Sequence, residues 1–224
     1  MQILSLILLV YLNFNSISAQ TNASIWDDIK EDAVHSYHAG IGLVKSPLTA
    51  STSDWLKIGY AGAATASLFI IDPEIKDMAL SNRSNAADWL LGIDKYYNKE
   101  YVIVYTSGLY VSGLLMRNYK LRRAALHTIE SVIVASSITA TLKRVFGRSR
   151  PYTNDDQTTF SLFDGRKSRH RSLPSGHATG SFAFTTVMAK SIDNTWWKIF
   201  WYGTGTMVCA ARIYHNRHWL SDTV

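Results

Sequence analysis

The chain lacks most of the features that mark disulfide-stabilised and β-rich proteins. Its 224 residues include one cysteine, Cys209, so no internal disulfide can form and the redox compartment is left open. Alternation of polar and apolar residues, the pattern of a half-buried strand, is nearly absent, whereas helix start and stop signals recur. The sequence therefore predicts an all-α protein whose length suits one domain with a full core.

Charge is also scarce, and its balance indicates an anionic partner. Charged residues make up 18% of the chain and hydrophobic residues 47%, with a net charge of +6. A basic excess favours phosphate esters or an anionic lipid surface as partners. Nucleic acid is the least favoured, because the basic residues are dispersed and no recognised nucleic-acid-binding motif occurs.

Long apolar runs are missing from the interior of the chain. Four charge-free runs between residues 58 and 211 are 12 to 16 residues long, whereas a membrane-spanning helix needs about 20 apolar residues. Buried core helices fit these lengths slightly better. An aromatic cluster fits either an interfacial belt or the core: Trp196, Trp197, Trp201 and Tyr202. We expect association with a membrane surface and leave spanning open.

The N-terminus contains no charged residue before Asp27. Ile3–Leu12 is an apolar run, and small polar residues follow as far as Ala19. This arrangement predicts a secretory signal peptide over residues 1–19, with an uncleaved anchor as the alternative because no positive charge lies near Met1. The protein is therefore expected to be exported, either to the periplasm or to the periplasmic side of a membrane.

Capping and breaking residues predict where the helices lie. Asp72-Pro73-Glu74 has the pattern of a cap, a first-turn proline and an early acid. Gly147 is placed to end the longest helix. The abundance of alanine, glycine, serine and threonine favours close packing of the helices in a bundle. The predicted helices are Ser53–Ile71, Asp72–Leu80, Tyr101–Met116, Leu121–Phe146, His177–Lys190 and Thr195–Ile213.

The first candidate site is the turn Pro174-Ser175-Gly176-His177, which leads into the apolar helix after it. A helix that starts here presents unpaired backbone N–H groups and a partial positive charge, which suit an anion. His177 adds a titratable ring at the same place. Taken alone, the tetrapeptide fits a loop with a helix cap equally well.

A second candidate is the segment LKRVFGRSRP, which contains Lys143 and Arg150. Lys143 ends the long predicted helix, and Arg150 is biased toward an extended conformation by Pro151. The two cations can therefore point at one spot, where arginine binds phosphate oxygens in a bidentate way and lysine acts as a point charge. The alternative is a set of ordinary cations at a helix C-terminus.

The third candidate lies in the C-terminal segment ARIYHNRHWLSDTV. His218 and Asp222 are four residues apart and share a face if the segment is helical. Asp222 can then accept the Nδ1 hydrogen and leave Nε2 free as a nucleophile or base. Arg212 can add an anion clamp. The alternatives are a local surface pair, or a metal site formed by His215, His218 and Asp222.

Together these segments read Lys-x6-Arg-Pro, Pro-Ser-Gly-His and Arg-x5-His-x3-Asp, in that order. This order resembles the type 2 phosphatidic acid phosphatase family, which shares its site with bacterial class A acid phosphatases and vanadium haloperoxidases. One departure is Ala211, where the family usually has serine, and we expect a modest effect on positioning.

The resemblance implies an all-α helical bundle of the phosphatidic acid phosphatase type 2 and haloperoxidase kind. The expected organisation is a signal peptide at 1–19, N-terminal helices without a matched motif at 20–120, and a phosphatase core at 121–224. The helix expected to carry His218 and Asp222 is cut short at Val224, so the core is expected to be truncated.

The resemblance also implies a metal-independent phosphatase without a cofactor, acting on phosphate monoesters or pyrophosphates, in particular those of lipids. His218 would attack phosphorus and form a phosphohistidine, Asp222 would orient it, and His177 would serve as general acid and then as base. The implied phosphate-binding groups are Lys143, Arg150, Ser175, Gly176 and Arg212.

The segment Tyr152–Leu173 separates the first two motifs in chain order and is rich in basic residues. We expect it at the mouth of the site, where it can steer phosphate esters or contact anionic lipid, or serve only as a solvated loop. Two other functions stay open: a vanadium-dependent haloperoxidase using the same pocket, and a non-catalytic lipid-binding or structural membrane protein.

Overall fold

The computed structural model describes residues 24–97 and 99–224, so the predicted signal peptide lies outside the described residues. Within them the chain forms helices, short 3₁₀ turns and no β-strand beyond one isolated bridge between Arg148 and Phe160, which confirms the all-α prediction. The α-helices are α1 (Ile25–Thr49), α2 (Thr52–Ser67), α3 (Asp72–Ser81), α4 (Asn85–Leu91), α5 (Lys99–Leu115), α6 (Tyr119–Phe146), α7 (Gly176–Ser191) and α8 (Thr195–Tyr214). The 3₁₀ turns are Leu68–Ile70, Gly92–Tyr96, Pro151–Thr153, Ser168–His170 and Leu220–Thr223.

The core is built by α5, α6, α7 and α8, with α6 packed between α5 and α7, and α8 on the other side of α7. The ring of Phe184 meets that of Trp201 edge to face, at 5.3 Å between centroids. The indole Nε1 of Trp197 donates to the Met188 carbonyl at 2.6 Å, which satisfies its polar atom inside the core. Aromatic and aliphatic burial therefore fixes α8 on α7 and with it the end of α8 that leads into the site.

Helix ends follow the predicted signals closely. Ser175 and Asn194 are N-caps whose side chains accept backbone N–H groups of α7 and α8. Gly147 ends α6 at φ 58°, in the left-handed region, and a Cβ there would collide with the Ser161 carbonyl. The chain therefore leaves α6 sharply enough to bring the following loop back over the helix end.

Two N-terminal helices were not predicted, and one predicted role is wrong. α1 docks on the rest of the molecule through ion pairs of Asp28 and Asp32 with arginines of α6 rather than through apolar residues. α4 has seven residues and none is buried. α3 begins at Asp72 as predicted, but the N-cap residue is Ile71 and the Asp72 carboxylate points into the protein instead of capping the helix.

Several helices present large apolar side chains to solvent. Trp55, Ile58, Val104, Leu115 and Ile199 are all more than half exposed. α6 is, among the described residues, the helix long and apolar enough to cross a membrane, with 28 residues. Both features are consistent with membrane association.

The aromatic cluster of α8 divides between the two locations considered for it. Trp197 and Trp201 are buried in the core, whereas Trp196 is 79% exposed and Tyr202 is partly exposed. The helix therefore turns one aromatic face inward and the other outward.

Candidate active site

His218 and Asp222 form a buried pair, with His218 Nδ1 at 3.3 Å from Asp222 Oδ2. The prediction that one α-helix carries both residues is wrong. α8 ends at Tyr214, the chain turns through Asn216 at φ 56°, and Asp222 lies in the 3₁₀ turn Leu220–Thr223. The pair forms because this turn folds back, so that the Trp219 N–H also donates to Asp222 Oδ2 at 2.8 Å.

The surroundings of this pair favour a neutral histidine next to a carboxylate. Burial strongly lowers the pKa of His218, against the opposing effect of Asp222. Burial alone would raise the pKa of Asp222, but its hydrogen bond with His218 and the charge of Arg148 outweigh this and lower it. With its hydrogen on Nδ1 toward Asp222, His218 keeps an unprotonated Nε2, which is the form needed for nucleophilic attack.

Two predicted cations meet on one backbone carbonyl. Lys143 Nζ donates to the carbonyls of Arg171 at 2.6 Å and Ser172 at 3.2 Å, and Arg150 Nη2 reaches the same Arg171 carbonyl at 3.5 Å. Arg150 Nε donates to the Ser168 carbonyl at 3.0 Å. The basic loop 152–173 therefore borders the candidate site, as predicted, and holds its cations through backbone oxygens.

The Pro-Ser-Gly-His turn joins the other two motifs at the start of α7. Ser175 N donates to the Asp222 carbonyl at 2.7 Å, and Ser175 Oγ caps the helix by accepting from Ala178 N. A Cβ at Gly176 would lie 3.8 Å from Lys143 Cε, so the glycine backbone lies close to the lysine chain. The first N–H groups of α7 are thus next to Lys143, where an anion can bind them.

Arg212 lies on the last turn of α8 and is held by a carboxylate that the sequence analysis missed. Arg212 Nη1 contacts Asp94 Oδ2 at 2.7 Å, and His215 Nδ1 contacts the same oxygen at 3.2 Å. Because His215 pairs with Asp94, it does not join His218 and Asp222, so the predicted alternative of a metal site on those three residues is contradicted.

One other group of side chains within the described residues could hold an ion: His35, His127 and Glu130, whose ligand atoms lie within 4.8 Å of one another. They join α1 to α6. The Arg123 guanidinium lies 3.1 Å from His35 Nδ1, and Ser36 Oγ donates to Glu130 Oε1 at 2.6 Å. These contacts link α1 to α6 by side-chain hydrogen bonds.

His177 is half-buried and lies within the field of the cations. Burial lowers its pKa to about 4, helped by Arg212, Arg150 and Lys143 and opposed by Asp94. The free protein therefore holds His177 neutral at pH 7. A bound phosphoryl dianion would raise the pKa of this ring and favour its protonated, acidic form.

Sequence reasoning also missed Arg148, whose guanidinium is fully buried against Asp222. Its signal is present in the sequence, because the segment GRSRP holds a second arginine two residues before Arg150. A cavity of about 640 Å³ adjoins Asp222 and is lined mainly by apolar residues such as Phe182 and Ile213. The cations do not line that cavity.

Residues 124–224 match the family model described as PAP2 superfamily. This match supports the assignment of the C-terminal part of the chain to the type 2 phosphatidic acid phosphatase family. No match was found among curated proteins or among solved structures. The match to the PAP2 superfamily supports phosphatase- or haloperoxidase-type activity, and in general a phosphoric ester hydrolase.

The PAP2 segment contains all three predicted motifs, from Lys143 to Asp222, whereas Asp72 and Asp94 precede it. The fold brings together Lys143, Arg150, Ser175, Gly176, His177, Arg212, His218 and Asp222, as the contacts and charge interactions above describe. The chemical roles of these residues remain predictions.

If Lys143 binds phosphate as predicted, phosphatase activity is expected to fall at alkaline pH. Burial, helped by Arg150 and opposed by Asp222, lowers the pKa of Lys143 to about 7. Above pH 7 the free protein loses this charge while a phosphate monoester is already dianionic, so kcat/KM is expected to fall about tenfold per pH unit. Lys143→Arg keeps its charge and should move the fall above pH 9. An identical alkaline limb in both proteins, measured with p-nitrophenyl phosphate, would assign it to another group.

Proposed function

We propose that the protein is a metal-independent phosphatase that hydrolyses phosphate monoesters or pyrophosphates through a phosphohistidine at His218. The observation that carries this is the buried His218–Asp222 pair beside the cations and the N-terminus of α7. Such a combination offers a fixed nucleophile, fixed positive charge and a second histidine, which are the parts that phosphoryl transfer requires.

In the first step His218 Nε2 bonds to phosphorus as the bond from phosphorus to the leaving oxygen breaks. His177 gives its proton to that oxygen, so the alcohol leaves neutral. In the second step a water oxygen attacks phosphorus, His177 takes the proton of the water, and the N–P bond breaks. The histidines return to their starting states, and inorganic phosphate is released.

Charge stabilisation would come from groups that the fold holds in place before substrate arrives. Lys143 and Arg150 are anchored by loop carbonyls, and Arg212 by Asp94. The Ser175 hydroxyl and the Gly176 N–H complete the donors. Fixed donors aimed at the equatorial oxygens stabilise the transition state without having to reorganise during the reaction.

We further propose a lipid phosphate as the natural substrate class and the periplasmic side of a membrane as the location. The exposed apolar side chains of α2, α5 and α8 and the length of α6 support contact with lipid. The net charge of +6 supports attraction to anionic headgroups. A small soluble phosphate ester is the other substrate class, and turnover of both classes, with and without detergent, compares them.

Phosphatase activity is expected to survive removal of divalent metal. The proposed mechanism neutralises the phosphoryl charge with side-chain cations and backbone donors, so excess EDTA should leave kcat unchanged. Vanadate, which adopts the geometry of the phosphoryl transition state, should inhibit competitively. Loss of activity on chelation that zinc or magnesium restores would contradict the phosphohistidine mechanism.

The same vanadate-loaded protein separates the phosphatase from a haloperoxidase. We expect no bromide oxidation by hydrogen peroxide after vanadate loading. Bromide oxidation together with absent phosphatase activity would reverse the assignment within the PAP2 superfamily.

A further inference from the structure

Arg148 is a buried cation whose hydrogen bonds all go to the protein. Nη1 donates to Asp222 Oδ1 at 2.8 Å and to Ser221 Oγ at 2.7 Å, and Nη2 donates to Asp72 Oδ2 at 2.7 Å. Nε donates to the Gln157 carbonyl at 2.9 Å. Its side chain is completely buried and all three of its nitrogens donate to protein oxygens, so we do not count Arg148 among the phosphate-binding groups.

Asp222 divides its two oxygens between two tasks. Oδ1 accepts from Arg148, while Oδ2 faces His218 Nδ1 and also accepts from Ser172 Oγ at 2.5 Å and from Trp219 N. A carboxylate with one oxygen hydrogen-bonded to a buried guanidinium cannot rotate freely about its Cβ–Cγ bond. The direction in which Oδ2 meets the histidine is therefore set by the arginine on the other side.

Asp72 on α3 fixes the arginine in turn. Its Oδ2 accepts from Arg148 and from Ser221 Oγ at 2.5 Å, and its Oδ1 accepts from Ser221 N at 3.0 Å. The guanidinium also lies over the Phe69 ring, at 4.1 Å from the centroid. One cation is thus shared by two fully buried carboxylates, so removing it leaves both charges uncompensated.

We propose that Arg148, anchored by Asp72, is a positioning residue that fixes the Asp222 carboxylate and through it the tautomer and direction of His218. This role rests on the proposed function, since it concerns the nucleophile of that reaction. It extends the site beyond the PAP2 segment, because Asp72 contributes to it from α3.

The charges that act on the His218–Asp222 pair define what each substitution changes. Arg148 contacts Asp222 directly, and Asp72 contacts Arg148. Lys143 and Arg150, two of the proposed phosphate-binding groups, act on the pair through their charge. Arg148→Met removes the charge and the hydrogen bonds together. Arg148→Lys keeps the charge but loses the planar guanidinium that bonds Asp222 and Asp72 at the same time. Comparing the two separates electrostatics from geometry.

Arg148→Met is expected to lower kcat about 100-fold while KM stays within roughly threefold, because a residue that supports a reacting group acts on the transition state. The acid limb of kcat/KM should move up by about one pH unit, since Asp222 loses its cation. Arg148→Lys should keep the wild-type limb and recover about tenfold in kcat. Asp72→Asn should lose about tenfold.

Asp32→Asn serves as the matched control. Asp32 is also a buried aspartate paired with arginine, through Arg122 and Arg123, but it lies on α1 away from the site. Its substitution should cost stability without moving kcat or the acid limb. Equal losses in Asp32→Asn and Asp72→Asn, or a raised KM with an unshifted limb in Arg148→Met, would overturn the positioning role.

A measurement without substrate keeps this inference distinct from the proposed function. In protein labelled with ¹⁵N-histidine, the nitrogen shifts of His218 should report hydrogen on Nδ1 in wild type and in Arg148→Lys. Arg148→Met should show a mixture of tautomers. An unchanged tautomer in Arg148→Met refutes the inference even if phosphatase activity is present, and a changed tautomer supports it even if activity is absent. If Arg148→Met does not fold, Asp72→Asn gives the same comparison.

Discussion

Replacing His218 with alanine is expected to abolish phosphoenzyme formation with every substrate and to lower kcat by at least about 10⁴-fold, the scale of losing a covalent nucleophile. The expectation follows from the proposed mechanism, in which the bond between phosphorus and His218 Nε2 forms before water attacks. The measurement is rapid-quench labelling with ³²P substrates. His38→Ala, which changes an exposed histidine of α1, is the control and should label like wild type.

Retention of the label in His218→Ala would show that another residue is phosphorylated. Ser175 is the other candidate nucleophile, but its hydroxyl caps α7 and its N–H is taken by the Asp222 carbonyl. Ser175→Ala is therefore expected to keep the label and to weaken phosphate binding.

His177→Ala is expected to lower turnover of an alkyl or lipid phosphate by about 10² to 10⁴-fold, the usual contribution of general acid catalysis. The first step, measured as the burst of p-nitrophenol, should be slowed much less with p-nitrophenyl phosphate, because p-nitrophenolate leaves without a proton. The second step needs His177 as base with either substrate. Phosphoenzyme should therefore accumulate from p-nitrophenyl phosphate in this variant.

Two outcomes of the comparison between His218→Ala and His177→Ala would contradict the assigned roles. If His218→Ala traps phosphate and His177→Ala does not, the assigned roles are reversed. If both variants lose equal activity on both substrates and neither accumulates phosphoenzyme, His177 acts in binding rather than in proton transfer.

Several helix boundaries were predictable because a local backbone signal marks them. Gly147, Ser175 and Asn194 stop or cap helices at the expected positions, because left-handed φ values and side-chain caps are local properties. α1 was missed because its buried residues are Asp28 and Asp32, so no apolar periodicity marks its inner face.

The site residues that belong to the three motifs were predictable from the sequence. The carboxylates that hold the arginines in place were not. Asp72 pairs with Arg148 across 76 residues and Asp94 with Arg212 across 118, distances at which spacing carries no information. The helical geometry assigned to His218 and Asp222 was wrong because spacing by four fits a tight turn as well as a helix. Their contact was nevertheless predicted correctly.

The most direct test of the account is to identify the phosphorylated atom. Wild-type protein is quenched during turnover in the presence of EDTA, digested, and mapped by mass spectrometry with ³¹P NMR of the labelled peptide. The account predicts an alkali-stable, acid-labile phosphoramidate on Nε2 of His218. A phosphate ester on serine, a label on His177, or turnover without any label on protein would contradict it.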